Sequence, residues 1–356
     1  MLSVLRPFRF LLLPFAWGYG GVVWLRNKLY DWQVYSTFAA PIPVVCVGNL
    51  TVGGTGKTPQ VEYLARLFKG KKMAILSRGY KRKTKGFVLA DASATAATLG
   101  DEPFQYVQSL PWAAVAVCER RAAGIQQLLQ LFPDLELILL DDAFQHRAVK
   151  AKVNLLLTDY GRLFTKDFLL PVGLLREPKA GAGRADAVVV TKCPAALSNQ
   201  QQQAITAQIA RYTRSSTPIF FSYIQYAPAV PIGAAATLGK KLVLVTGIAN
   251  AQPLLDYLKK QGHDVVHHFE WADHSDLTHS KLEEVVSFFG KSGQPAESIV
   301  MTQKDAVKWQ TPAFLPVWQN LPVFYIPIEV AFTSRKPSFE PTMKQLVFPE
   351  GSDNNF

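Results

Sequence analysis

The chain has 356 residues, 49% of them apolar and 18% charged, enough for two cored domains and unlike a disordered or low-complexity protein. Its three cysteines, Cys46, Cys118 and Cys193, lie more than seventy positions apart, which excludes a disulfide framework or a cysteine metal site and fits a reducing compartment. The net charge is +11, and residues 1–90 alone hold 14 Lys/Arg against two acids, Asp31 and Glu62; this asymmetry suggests nucleic acid, anionic lipid or a phosphorylated substrate at the N-terminal end.

In chain order, the first predicted element is apolar. Sixteen residues, Phe10 to Leu25, carry no charge, whereas a bilayer-spanning helix needs about 20. Pro14 and Gly18, Gly20 and Gly21 weaken a continuous helix. A secretory signal is opposed by the lack of a small-residue cleavage site and by the flanking Arg26 and Lys28. Trp17, Tyr19, Trp24, Tyr30 and Trp32 suit a membrane interface, where an aromatic body and a polar tip are both accommodated. Residues 1–35 therefore read as a monotopic anchor on a cytoplasmic membrane face, with an ordinary buried helix as the alternative. Whether the segment lies on the bilayer or crosses it stays open.

A strand at 43–48 then runs into Asn49-Leu-Thr-Val-Gly-Gly-Thr-Gly-Lys-Thr58, the pattern of a phosphate-binding loop followed by a helix near Pro59. Thr51, Val52, Gly53, Gly54, Thr55 and Gly56 are expected to wrap a nucleotide's phosphates with backbone N–H groups. Lys57 would reach the outer phosphates, and the Thr58 hydroxyl would ligate Mg²⁺. The full pattern has glycine where this chain has Thr51.

Further strands are expected at 72–77, 86–90, 112–118, 135–140, 153–158, 186–191 and 219–226, with helices at 104–110, 120–132 and 197–213. The cationic run Ser77-Arg-Gly-Tyr-Lys-Arg-Lys-Thr-Lys85 reads as a surface strip or a phosphate site. Gly100-Asp-Glu-Pro103 opens a helix; read from the residues alone, Asp101 is first of all a favourable helix-start acid. The strand ending in Asp141-Asp142 is a stronger signal, since an Asp at the end of a neighbouring strand holds Mg²⁺ in phosphate-loop enzymes. On extended backbone the two carboxylates would point to opposite sides and divide their labour.

Residues 227–240 turn Pro- and Gly-rich and mark a domain junction. A second strand–helix series follows, with strands at 241–246, 264–269, 298–302 and 322–328 and helices at 251–261 and 279–290. His267 and His268 look structural, while His274 falls in a polar loop, where catalytic residues are often carried. Strand–helix alternation predicts an α/β protein: a P-loop NTPase-like α/β/α sandwich with a second, smaller α/β domain. The expected divisions are an anchor (1–35), a phosphate-loop domain (36–228), a second domain (229–330) and a tail (331–356).

Together the motifs resemble the tetraacyldisaccharide 4′-kinase family of lipid A biosynthesis. They are Val47-Gly-Asn-Leu-Thr-Val-Gly-Gly-Thr-Gly-Lys-Thr-Pro59, Ser77-Arg-Gly-Tyr80, Gly100-Asp-Glu-Pro103, Leu140-Asp-Asp-Ala-Phe-Gln-His146, Leu174-Leu-Arg-Glu-Pro178, Thr246-Gly-Ile-Ala-Asn250, Asp273-His274 and Thr302-Gln-Lys-Asp305. They follow the family's order across nearly the whole chain, and the family's Thr accounts for Thr51. Departures from its usual pattern are Ala143 for Gly, Ser275 for His and Gln303 for Glu.

The resemblance implies transfer of the ATP γ-phosphate, with Mg²⁺, to the 4′-hydroxyl of an acylated glucosamine disaccharide 1-phosphate, giving lipid IVA. The site would work at the cytoplasmic face of the bacterial inner membrane, with no nucleic acid and no stable protein partner. By the same resemblance Asp101 is the base, paired with His274, and Asp141 and Asp142 organise Mg²⁺, Lys57 and the reacting phosphate. Thr58, Asp142 and Glu177 are the implied metal ligands, and Tyr80, Arg121, Gln145, His146 and Arg176 occupy further active-site positions.

The best alternative is a membrane-attached regulatory ATPase of the partitioning or cell-division type. Its signature lysine before Gly-Gly is Val52 here. A GTPase chaperone is weaker still, because Thr191-Lys192-Cys193-Pro194 lacks the guanine-reading Asp.

Overall fold

The computed structural model describes residues 8–234, 237–248, 250–272, 275, 277–290, 296–310, 314–334 and 337–349. Among these, two parallel-rich sheets dominate. The first has nine strands. Its middle runs Ala187–Thr191, Val153–Asp159, Val44–Asn49, Leu137–Asp141, Met73–Ser77 and Ala114–Val117, all parallel.

Strands Val44–Asn49, Met73–Ser77, Leu137–Asp141 and Ala187–Thr191 are buried along their whole length, as continuous apolar runs covered on both faces should be. Successive side chains feed opposite cores. Val44 and Cys46 pack with Leu76, Ile125 and Leu140, while Val45 and Val47 pack with Val61, Leu64 and Ile75.

The second sheet runs Val230–Pro231, Val323–Ile326, Ser298–Thr302, Lys241–Thr246 and Asp264–Glu270, antiparallel only at its first pair. His267 stacks on Phe288 at 4.3 Å between ring centroids, and His268 Nε2 lies 2.8 Å from Thr246 Oγ1. Both fit the structural roles expected of them.

The run expected as one strand at 322–328 is two. Pro327 has no N–H to continue a ladder, and the chain changes sheets there. Val323–Ile326 belongs to the second sheet, whereas Ile328–Phe332 lies antiparallel to Ile219–Tyr226 in the first. The two crossings run side by side, and the Ala227 N–H donates to the Pro327 carbonyl at 3.0 Å. The described part of the stretch expected as a tail is also ordered structure. Its helix Phe339–Val347 buries Phe339, Met343 and Val347 with Val61, Leu64 and Phe68 of the first domain, and Phe339 stacks on Phe332 at 4.0 Å.

The N-terminal helix, Leu13–Asp31, is 19 residues long. Only Ala16 and Gly20 are buried, whereas Phe15, Trp17 and Val22 are 69%, 71% and 70% exposed. No helix among the described residues is long and apolar enough to cross a membrane. Its inner side is pinned to the first domain: Tyr19 Oη donates to the Arg176 carbonyl (2.7 Å), Arg26 to the Gln145 carbonyl (3.1 Å) and Asn27 to Glu177 (3.3 Å). From the other side, Arg147 donates to the Asn27 carbonyl and to Asp31.

Gly48 marks the closest approach behind the site. A Cβ there would lie 2.7 Å from Phe144 Cβ and 2.8 Å from the Phe144 N. Gly48→Ala is therefore expected to lower stability by about 1–3 kcal/mol, read as a lower denaturant midpoint at unchanged slope.

Candidate active site

The phosphate loop follows the buried strand Val44–Asn49 and is clamped on both flanks. On one flank the Val52 N–H donates to the Leu174 carbonyl (2.8 Å) and the Arg176 N–H to the Leu50 carbonyl (2.7 Å). On the other, Thr191 Oγ1 donates to the Thr55 carbonyl at 2.9 Å and the Lys192 ammonium to the Gly54 carbonyl. Gly53 and Gly56 take φ of 105° and 78°, backbone that side chains resist. Gly56 is also the residue before helix Lys57–Leu67, so the helix N-terminus faces the loop.

Asp141 and Asp142 divide, but not by strand alternation. Asp141 ends the strand and is 1% exposed, accepting from Ser77 Oγ at 3.0 Å. Asp142 has left the strand: its φ is +46°, in the left-handed region. This turn, rather than extended backbone, separates the two carboxylates. Asp142 meets Arg176 through two hydrogen bonds of 2.7 and 3.2 Å and lies 3.9 Å from Lys57 Nζ. Burial opposes its charge, but Lys57 and Arg176 outweigh that and hold its pKa below the usual carboxylate value. Ala143, in the family's glycine position, is buried and donates to the Val47 carbonyl at 3.3 Å. The left-handed residue is the preceding Asp142, so an alanine fits there.

Asp141 is the opposite case. Burial, then the charges of Glu102 and Asp142, raise its pKa to about 7, and its Oδ1 is buried without a hydrogen-bond partner. A folded-state pKa above the unfolded value of 3.8 means that the native protein holds a proton the unfolded chain releases. Stability therefore falls as pH rises from about 4 to about 7 and then levels. Compared with Asp141→Asn, ligand-free wild type should lose on the order of 2 kcal/mol across that window, read from urea midpoints. His146 titrates in both proteins and drops out of the difference; burial first, then Arg121 and Arg78, lower its pKa to about 4.

Glu102 is a member of this cluster that the sequence reading passed over as a helix-start acid. Burial raises its pKa against the attraction of Lys57, with Asp142, Lys304 and Asp101 also acting on it. Asp101, its neighbour, is the first residue of helix Asp101–Ser109. Gly100 lets the turn Gly79–Tyr80 press against that helix start, since a Cβ there would sit 2.8 Å from the Tyr80 carbonyl. Tyr80 thus sits beside the Asp101 helix with its side chain exposed. In the cationic run, Arg82 is engaged structurally by Glu119 (2.5 Å) and the Gly86 carbonyl. Asp273 and His274 lie outside the described residues.

Glu177 and Arg121 are both buried. Glu177, implied as a metal ligand, is 1% exposed, and its oxygens accept from Arg184 (2.9 and 2.8 Å), Gln145 (2.8 Å) and Asn27 (3.3 Å). This geometry makes it an anchor of Gln145, Arg184 and the N-terminal helix. Arg121 is 2% exposed and donates to the carbonyls of Cys118 (2.7 Å) and Asp141 (3.1 Å), so it fixes the strand end that presents the aspartates.

No group of three or more His, Cys, Asp or Glu among the described residues would hold a metal alone. A magnesium ion that keeps waters and takes phosphate oxygens needs only one or two carboxylates. The unpartnered Asp141 Oδ1, Asp142 and Thr58 fit that demand.

Strand, glycine loop, Lys57 at a helix start and acids on the adjoining strand define a phosphate-loop nucleotide-binding fold. The sequence model of the tetraacyldisaccharide-1-P 4′-kinase family matches residues 8–347, and the chain belongs to that family. It is 45% identical to the tetraacyldisaccharide 4′-kinase of Cytophaga hutchinsonii, covering 92% of each chain, and 40% identical to that of Phocaeicola vulgatus, covering 97% of each. Among solved structures it is similar to the ATP-bound LpxK of Aquifex aeolicus, with a TM-score of 0.73, 28% identity and coverage of 96% of this chain and all of that one. The α/β fold and family expected from the motifs hold. The regulatory-ATPase alternative is set aside.

Proposed function

We propose that this chain transfers the ATP γ-phosphate to the 4′-hydroxyl of a membrane-held tetraacyldisaccharide 1-phosphate, forming lipid IVA at the cytoplasmic face of the inner membrane. The observation that carries the lipid assignment is the docking of the N-terminal helix. Its exposed Phe15, Trp17 and Trp24 offer an apolar surface, while Tyr19, Arg26 and Asn27 bond directly to the segments holding Arg176, Gln145 and Glu177. A helix seated in the interface places the cleft at head-group height, where an acceptor with four acyl chains presents its sugar. The excess of cations in residues 1–90 suits an anionic lipid acceptor.

Within the cleft, Asp101 receives the proton of the acceptor hydroxyl as the phosphoryl group is transferred. Lys57 and the loop N–H groups hold the outer phosphates in line, and Arg176 holds Asp142 in place. Mg²⁺, when bound through Thr58, Asp142 and Asp141, neutralises charge on the phosphates. Phosphoryl transfer asks mostly for such positioning and charge balance.

The test is to incubate the purified protein with ATP, Mg²⁺ and detergent-dispersed acyl-disaccharide 1-phosphate and to analyse the lipid by mass and NMR. One new phosphate monoester on the distal 4′-oxygen is expected. An unmodified lipid, or a phosphate on another hydroxyl, would overturn the assignment.

A further inference from the structure

The helix Gln303–Trp309 of the second sheet's domain packs against helix Asp101–Ser109 of the first. It is rigidly mounted. Asp305, 4% exposed, accepts from Thr302 Oγ1 at 2.6 Å and from the Gly247 N–H at 2.9 Å, and its own N–H donates to Thr302 Oγ1. At its far end Gln108 donates to Gln310 across the domains at 3.3 Å.

Lys308, in the last turn of this helix, reaches both Ser275 and Asp101. Its ammonium donates to the Ser275 carbonyl at 2.8 Å and stands 3.8 Å from Asp101 Oδ2, with only 12% of the side chain exposed. Lys304, one turn earlier on the same face, acts on Glu102 next to Asp101. Two lysines of one helix thus act on the two acids at the start of the other.

Resting on the kinase reading, we propose that Lys308 is a positioning residue for the Asp101 carboxylate and joins it across the domain boundary to the loop containing Ser275. At 3.8 Å the contact orients the carboxylate as an ion pair rather than through a short hydrogen bond from Lys308. The Ser275 carbonyl holds the ammonium in register, so Asp101 is correctly aimed only when the two domains are together. Because misplacement by about 1 Å can cost about 10²-fold in rate, the effect belongs in kcat.

Lys308→Met should lower kcat about 10²-fold with KM for ATP changed less than about twofold, and Lys308→Arg should recover at least about tenfold of that loss. Lys308→Gln, which can still donate to Ser275 but carries no charge, should behave like Lys308→Met and decides the matter if the Met variant does not fold. In an Asp101→Asn background, removing Lys308 should cost less than about twofold. An equal loss in both backgrounds, or a raised KM for ATP at unchanged kcat, would overturn the proposal. If wild type phosphorylates no lipid, the kinase reading itself fails. The pairing is then decided by melting temperatures of the two single variants and the double variant: non-additivity of about 2 °C or more supports it, and additive shifts overturn it.

Discussion

Asp101→Asn should reduce lipid phosphorylation by about 10³-fold while ATP affinity stays within about twofold. The asparagine keeps size and polarity but cannot accept a proton. Asp101 lies at the first turn of its helix beside the turn of Gly79 and Tyr80 and 3.8 Å from Lys308. The phosphate loop is clamped by other residues, Leu174, Arg176, Thr191 and Lys192. On the proposed mechanism, nucleotide binding and proton acceptance are therefore separable. The check is isothermal titration with ATP beside a rate measurement under lipid saturation. A matching collapse of ATP affinity would move Asp101 out of the acceptor's base role and into the nucleotide site.

Lys57→Met should be as severe but differ in kind. Loss of about 10³-fold or more in kcat/KM is expected, together with about tenfold or more weaker ATP binding. Lys57 is the loop's own cation, 12% exposed at its side chain and 3.9 Å from Asp142. It also offsets Glu102, Asp141 and Asp142 together. Without it that cluster keeps Arg176 as its direct salt-bridge partner at Asp142, so the approach of a polyanion becomes costly. If Lys57→Met bound ATP like wild type, the loop would not be gripping the outer phosphates.

Much of this was legible in the sequence because it is local. Continuous apolar runs placed the strands Val44–Asn49, Met73–Ser77 and Leu137–Asp141, and Gly53 and Gly56 sit where positive φ demands glycine. What escaped depends on contacts between distant segments. Nothing beside Glu177 in the chain announces that Arg184, Gln145 and Asn27 converge on it. Asp142 reads as strand until its left-handed φ turns it toward Arg176. The return of Ile328–Phe332 to the first sheet was hidden inside one apolar run, with Pro327 its only signal. In the C-terminal stretch the apolar spacing of Phe339, Met343 and Val347 was the cue for a docked helix. Lys308 carries no motif that separates it from a solvated helix lysine; only its approach to Asp101 does.

On the proposed mechanism, the γ-phosphate leaves this site only for a lipid acceptor whose proton Asp101 takes. The most direct test is a single-turnover experiment with excess enzyme, following ADP and phosphorylated lipid together, with and without acyl-disaccharide 1-phosphate. One ADP per phosphorylated lipid is expected, and almost none when the lipid is withheld. ADP formed at the same rate without lipid, or without matching phosphate on the lipid, would contradict it.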